Sequence, residues 1–349
     1  MMIMTLNRIT IMSMERVSRI SGLWAEMEAQ NIMGIVKRLY SPDIKYHIYA
    51  TYSSDDRYYG LGVSYPNNIR VDVSAFESLK EIKVRVYVDS SFEDHSLLLI
   101  QLVKPQYCGI FASLCESLIA SVVAKPTEAE AIRTVINQLE KWRTLFKNTK
   151  IDGLTPSQQL GLYGELSFLR KLMQHEQVTK AQAIDLWVGY DAAIRDFQGE
   201  NWAIEVKTSA ANNAESITIN GERQLDDTLV DNLVLYHYAM EISKHTGETL
   251  PQLIKNIRGM LEWDEVQLNQ FNDNLTAVGY FDVHEELYLN RAYLVRNAAA
   301  YKVSDNFPRI KENELRSGVS DLTYEISVSQ CQDYLITNDQ LFNIITSND

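Results

Sequence analysis

Three cysteines in 349 residues (Cys108, Cys115, Cys331) are odd in number and lack metal-ligand spacing. They exclude a disulfide framework and a structural zinc, and they suit a reducing cytoplasm. The six histidines, His47, His95, His175, His237, His245 and His284, form no i, i+4 ligand pair and no Cys/His cluster. His237, in LVLYHYAM, reads as a packed strand residue rather than a ligand. A P-loop, a GxGxxG turn and a Ser or Cys triad are all missing. No run approaches the ~20 apolar residues that a membrane helix needs, so no membrane is expected. The first stretch, MMIMTLNRITIMSMERVSRI, is rich in Met but broken by Arg8, Arg16 and Arg19. It has no small-residue cleavage site, which argues against a signal peptide, and Met14 is an alternative start.

Positive charge is also scarce. The net charge is −13, which argues against a free-standing nucleic-acid wrapper with a basic surface. The distribution is uneven: residues 101–150 carry seven Lys/Arg against four Asp/Glu, and 211–275 carry four against eleven. An acidic nuclease is physically consistent, because metal ions supply positive charge where a phosphate sits. Such a chain commonly depends on a partner to hold the nucleic acid.

What is present is an ordinary globular composition, 46% hydrophobic and 23% charged, in a chain long enough for two domains. A helix is expected over 17–40. Short runs rich in Tyr, Val and Ile follow from 43 to 104, punctuated by Asp, Asn and Ser, and predict four or five antiparallel strands. Helices are expected near 107–122 and 127–147. Thr155-Pro156-Ser157-Gln158 is a capping-box signature, with Pro at the first helical position, for a helix running to about Gln174. Strands at 190–197, 202–208, 216–219 and 229–240, helices near 249–262 and 264–275, and strands at 287–301 and 322–329 complete the pattern. The expected division is a β-rich N-terminal domain with trailing helices over 1–150, for recognition or assembly, and a mixed α/β (α+β) domain over 151–349.

The stretch DFQGENWAIEVKTS carries the chemistry. A strand period of two puts Ile204 and Val206 on one face of WAIEVK and Glu205 and Lys207 on the other. If Phe197 faces Trp202 across the turn, Asp196 lies opposite Ala203 and diagonal to Glu205, roughly 7 Å away. Two carboxylates at that distance can share a divalent cation; without one they repel, and one is driven to protonate. The preceding helix adds a third acid. Leu162, Leu166, Leu169 and Met173 form its apolar stripe, and Glu165 falls inside that stripe between Leu169 and Leu172. Gly161 and Gly164 flank it, each costing about 1 kcal/mol of helix propensity, which suits a close approach of strand or substrate. Each piece also has an ordinary reading: Glu205 and Lys207 as a surface ion pair, Glu165 as a carboxylate at the edge of a helix face, Asp196 as a turn initiator. The ordered set outweighs these. Asp196, Glu205 and the Val206 carbonyl are the expected metal ligands, Lys207 the group that positions or deprotonates water, and Glu165 the holder of a metal-bound water or second ion.

The order GxxGE on a helix, then DF, then IEVK followed by Thr, resembles the PD-(D/E)XK nuclease superfamily core. More narrowly, GLYGELSFL, DLWVGYDAAIRDF, WAIEVKTS and SITINGERQLD resemble the prokaryotic domain of unknown function 4420, with FPRI…LRSGVSDLTYEISVSQC similar to its C-terminal strands. The resemblance implies a restriction-endonuclease-like core and Mg2+-dependent DNA cleavage, with Mn2+ as a substitute. It also implies a cytoplasmic setting in phage defence or restriction–modification beside ATPases and methyltransferases. Glu165, Asp196, Glu205 and Lys207 carry over as catalytic positions. Gln224 in ERQLD matches a recurrent Gln that contacts substrate, or is simply a polar residue opening a turn. The superfamily's proline before the aspartate is replaced by Arg195. Two copies are one way to cut both strands of a duplex. A catalytically silent scaffold or DNA-binding subunit is the alternative, favoured by the net charge and disfavoured by the intact acid–acid–lysine set.

Overall fold

Strands of β-branched and aromatic residues, separated by polar turns, build one antiparallel sheet in the first part of the chain. The computed structural model describes residues 18–30, 32–148, 153–189, 194–210, 216–304 and 306–347, with backbone alone for 144–148. Residues 1–17, which carry the start and leader expectations, 149–152 at the expected boundary, and 190–193, the first half of an expected strand, lie outside the described residues. The chain divides into two compact units, Met1–Ile151 and Asp152–Asp349. The fold is mixed α/β, as expected, and consistent with a restriction-endonuclease-like core.

In the first unit α1 (Arg19–Ala29) precedes β1 (Ile35–Leu39), β2 (Ile48–Ser53), β3 (Tyr58–Pro66), β4 (Ile82–Val88) and β5 (His95–Leu102), then α2 (Cys108–Val123) and α3 (Glu128–Asn148). The sheet order is β1-β2-β3-β5-β4. The helix expected over 17–40 stops at Ala29, which corrects that expectation. Gly34 takes a positive φ of 87°, and the β-branched start of IVKRL then pairs with β2. Aromatic contacts hold the helices to one sheet face: Trp24 lies 5.5 Å from Tyr59 and stacks on Phe111 at 5.6 Å, and Phe111 meets Trp142 edge-on. Pro105–Val123 is long and apolar enough, by length and composition, to cross a membrane. That corrects the expectation that no such run exists. Here its apolar side chains, including Phe111, Leu114, Leu118 and Val122, are buried in the unit's core.

In the second unit α4 (Pro156–Met173) begins at the expected capping box, with Thr155 and Gln158 bonded reciprocally. It is followed by α5 (Lys180–Leu186), β6 (Phe197–Gln198), β7 (Trp202–Ala210), β8 (Ser216–Asn220), β9 (Asn232–Ser243), β10 (Glu248–Thr249), α6 (Leu250–Met260) and α7 (Glu265–Ala277). The last elements are α8 (Glu285–Tyr288), β11 (Ala292–Val303), β12 (Thr323–Ser327), β13 (Leu335–Ile336) and α9 (Asn338–Thr346). The main sheet runs β10-β11-β9-β7-β6, with β13 also on β11, while β8 and β12 form a separate ribbon. β7 is parallel to β9, and β6 is antiparallel to β7. Both faces of β7 are covered: Trp202, Ile204 and Val206 join the core that contains α4, and Ala203 joins the core shared with β8 and β12. This double burial explains why the strand reads as a continuous apolar run.

Helix α4 sits close on β7 because Gly164 has no side chain. A Cβ there would lie 2.3 Å from Thr208 Cγ2, whereas Gly161 faces open space. Gly164→Ala should therefore destabilise the protein by about 1–3 kcal/mol through overpacking, although alanine favours a helix by about 1 kcal/mol. Thermal or urea denaturation measures this, and a more stable variant would refute the close approach.

Candidate active site

The site forms at the edge of β7 beyond Ile204, where no strand pairs with it among the described residues. β6 is only two residues long and pairs Phe197 with Ile204 and Gln198 with Ala203. This register corrects the expected pairing of Phe197 with Trp202. The indole of Trp202 folds over Gly199, where a Cβ would be 2.5 Å from the ring, and Trp202 itself pairs with Asn232 of β9. Extended by one residue, the observed register brings Asp196 alongside Glu205 instead of diagonal to it. Asp196 stands in the bend before β6, and its Oδ2 accepts the Val206 N–H at 2.8 Å. The main-chain N–H and C=O of a strand residue project to the same edge, so the Val206 carbonyl leaves β7 on this side too.

The four charged residues singled out from the sequence come together here. Glu205 is buried, and its Oε1 lies 2.7 Å from Lys207 Nζ on the same face of β7. Glu165 reaches the site from α4, where Trp187 Nε1–H donates to its Oε2 at 2.9 Å. Gly189 lies between two of the acids: a Cβ there would be 3.0 Å from Glu165 Oε2 and 3.1 Å from Asp196 Oδ1. Those two oxygens are therefore within about 6 Å of each other, close enough to repel.

Enclosure and neighbouring charge shift every member. Burial raises the Glu165 carboxyl from 4.5 to about 7; the Trp187 hydrogen bond and Lys207 oppose this, and Glu205 adds to it. Burial, then Glu205 and Glu165, push Asp196 well above the carboxylate range despite the Val206 N–H. Burial also raises Glu205, against the pull of Lys207 and Arg195. Burial alone would lower the Lys207 ammonium, but Glu205, Asp196 and Glu165 together turn its net shift upward. Perturbation of this kind clusters at functional sites.

Three contributors were not assigned a role from the sequence. Trp187 needs a partner for its indole N–H, and Gly189 leaves room for two carboxylates; both lie in the quoted DLWVGYD, but their spacing carries no recognisable signal. Arg195 is buried, donates to the Asp226 carbonyl, and is a second positive charge acting on Glu205. Gln224 stands apart from the acids in its bonding: its Oε1 accepts the Asn220 N–H at 2.9 Å and closes the turn after β8. His237 is packed in β9, its Nε2 2.8 Å from Ser209 Oγ, and burial lowers its pKa to about 4. A cavity of about 450 Å3 lies at the Trp202 end of β7, lined by none of the four charged residues.

Among the described residues no group of three His, Cys, Asp or Glu side chains is arranged to hold an ion by itself. Two carboxylates with a main-chain carbonyl and solvent are the available donor set. That set fits a hard divalent cation, because Glu205 Oε2 is buried without a hydrogen-bond partner among the described residues and Glu205 and Glu165 both raise the pKa of Asp196. The folded Glu165 carboxyl holds its proton more tightly than an unfolded one. In metal-free protein, stability should fall as pH rises from about 4.5 to about 7, as ionisation favours the unfolded chain. Melting temperatures in chelator across that range check this; Glu165→Gln should show a smaller fall, and an equal fall would refute it.

No curated protein and no solved structure matches the chain. A family model described as "Putative PD-(D/E)XK family member" and designated DUF4420 matches residues 20–329. With most of its length matched, and with Glu165, Asp196, Glu205 and Lys207 gathered at one sheet edge, the chain belongs to the DUF4420 family of PD-(D/E)XK proteins.

Proposed function

We propose that the chain is a Mg2+-dependent DNA endonuclease of a prokaryotic restriction or antiviral defence system, working in the cytoplasm. The convergence of Glu165, Asp196, Glu205 and Lys207 on the open edge of β7 carries this reading. Asp196, Glu205 and the Val206 carbonyl would hold the metal, with Glu165 on a metal-bound water or second ion and Mn2+ as a substitute. The bound ion would supply positive charge at the phosphoryl oxygens and make a nearby water more acidic. Lys207, largely enclosed and 2.7 Å from Glu205, positions the attacking water and offsets charge developing on the phosphate. Trp187 fixes the Glu165 carboxyl by its 2.9 Å hydrogen bond, and Gln224 is proposed to meet the backbone of the cut strand through its amide nitrogen. Two copies acting together would cut both strands of a duplex, and operon partners such as an ATPase or methyltransferase would supply translocation or protection.

A second reading is a silent nuclease-fold scaffold or DNA-binding subunit. The pairing of Lys207 with Glu205 favours it, since the lysine is already engaged. Calorimetry separates the two: metal binding in wild type that is lost in Glu205→Ala supports the nuclease, whereas no difference supports the scaffold. With Mg2+ or Mn2+ present, Asp196→Ala and Lys207→Ala should each lower DNA cleavage by about 100-fold or more. Cleavage unchanged in both variants would refute the assignment.

A further inference from the structure

The cavity of about 450 Å3 in the second unit plays no part in the acidic centre. It lies where α5, the β6–β7 turn and the end of α9 meet, and its size is that of a small-ligand site, roughly 300–1,000 Å3. Val178, Leu186, Trp202 and Ile345 give it apolar walls, and polar side chains rim it. Trp202 stands three residues before Glu205, about 10 Å along the strand. None of Glu165, Asp196, Glu205 and Lys207 lines the space, so binding there stands or falls apart from cleavage.

Every source of charge in the lining is negative. Asp185 and Glu200 are its ionisable side chains, and no Lys, Arg or His is among the described residues that line it. Asp185 and Leu186 end α5, and Ile345 and Thr346 end the nine-residue α9. A helix C-terminus carries partial negative charge, so both helix ends add to the two carboxylates. Lys180 of α5 is engaged elsewhere, donating to the Met260 carbonyl. Glu200 is exposed and enters no ion pair or side-chain hydrogen bond among the described residues. Asp185 accepts from Gln270 through Oδ1 at 3.0 Å and keeps its other oxygen.

Two donors in the lining have no acceptor. Trp202 is 5% exposed, yet its Nε1–H has no hydrogen-bond partner among the described residues. A nearly buried indole N–H is ordinarily paired. Gln182 commits its Oε1 to the N–H and hydroxyl of Thr179, each at 2.9 Å, which leaves its amide N–H2 group to donate.

We propose that this cavity binds an arginine or lysine side chain presented by a partner polypeptide. The cationic head lies on Glu200 and Asp185, and the adjoining peptide carbonyls accept from Trp202 and Gln182. The aliphatic stem of such a residue matches the apolar walls, whereas a bare metal ion would leave them and most of the volume unfilled. A phosphate or an acidic peptide would meet two carboxylates and two helix C-termini with no cation to offset them. An unstacked nucleobase has suitable donors and acceptors, but it arrives with phosphates that this rim repels.

The test is calorimetry on the full chain with the peptide acetyl-Gly-Arg-Gly-amide, compared with acetyl-Gly-Glu-Gly-amide, arginine amide and deoxycytidine monophosphate. The arginine peptide should bind in the millimolar range or tighter, and more weakly as salt is raised. Glu200→Lys should weaken it about tenfold, and Asp185→Asn about threefold. Glu325→Lys, at an exposed position of β12, should bind as wild type, and melting curves report that the variants remain folded. No binding of the arginine peptide, wild-type affinity in both Glu200→Lys and Asp185→Asn, or an equal loss in Glu325→Lys would overturn the proposal. So would binding of the glutamate peptide, arginine amide or the nucleotide as tight as that of the arginine peptide.

Discussion

Three carboxyl groups and one ammonium share a nearly enclosed space at the edge of β7, and the second unit is built around keeping them there. Isolated, each buried carboxylate would cost several kcal/mol. Together they are tolerated because Lys207 offsets Glu205, Trp187 bonds Glu165, and the Val206 N–H bonds Asp196. One oxygen of Glu205 has no hydrogen-bond partner among the described residues. A structure that retains so much unfavourable charge is stabilised elsewhere, through the apolar core that runs from α4 through β7 and β9 to α6.

The open strand edge follows from the same constraint. An unpaired edge inside a fold leaves main-chain donors and acceptors to be satisfied. Shortening β6 to Phe197–Gln198 frees the β7 edge beyond Ile204, and the Asp196 side chain then takes the place of a strand neighbour at Val206. Gly164 and Gly189 make the arrangement sterically feasible: one brings α4 onto β7, and the other leaves room between two carboxylates. Both glycines act by lacking a Cβ.

The two units separate their charge. The second concentrates acids at a sheet edge, whereas the sheet of the first has no acidic residue in any of its strands.

Much of this was legible in the sequence because it is local. The capping box at Thr155, the apolar run of β7, the antiparallel strands between 43 and 104, and the Glu205-x-Lys207 pair depend on spacing of a few residues, and Glu165 and Asp196 stand out by their local settings on a helix face and before a turn. Short elements were not legible: α5 and α9 are too brief for periodicity to register, although Thr179 with Gln182 and Thr337 with Gln340 cap them. The helix expected to reach residue 40 failed because Gly34 and pairing with β2 outweighed local helical pattern. Only the tertiary structure decided the register of Asp196 against Glu205, since the Trp202–Gly199 contact and the β9 pairing fix where the turn ends. It alone recruited Trp187, Gly189 and Arg195. Sequence determined which charges the chain carries and their order; only folding brought them within reach of one another, because their repulsion is supported by packing contributed from distant parts of the chain.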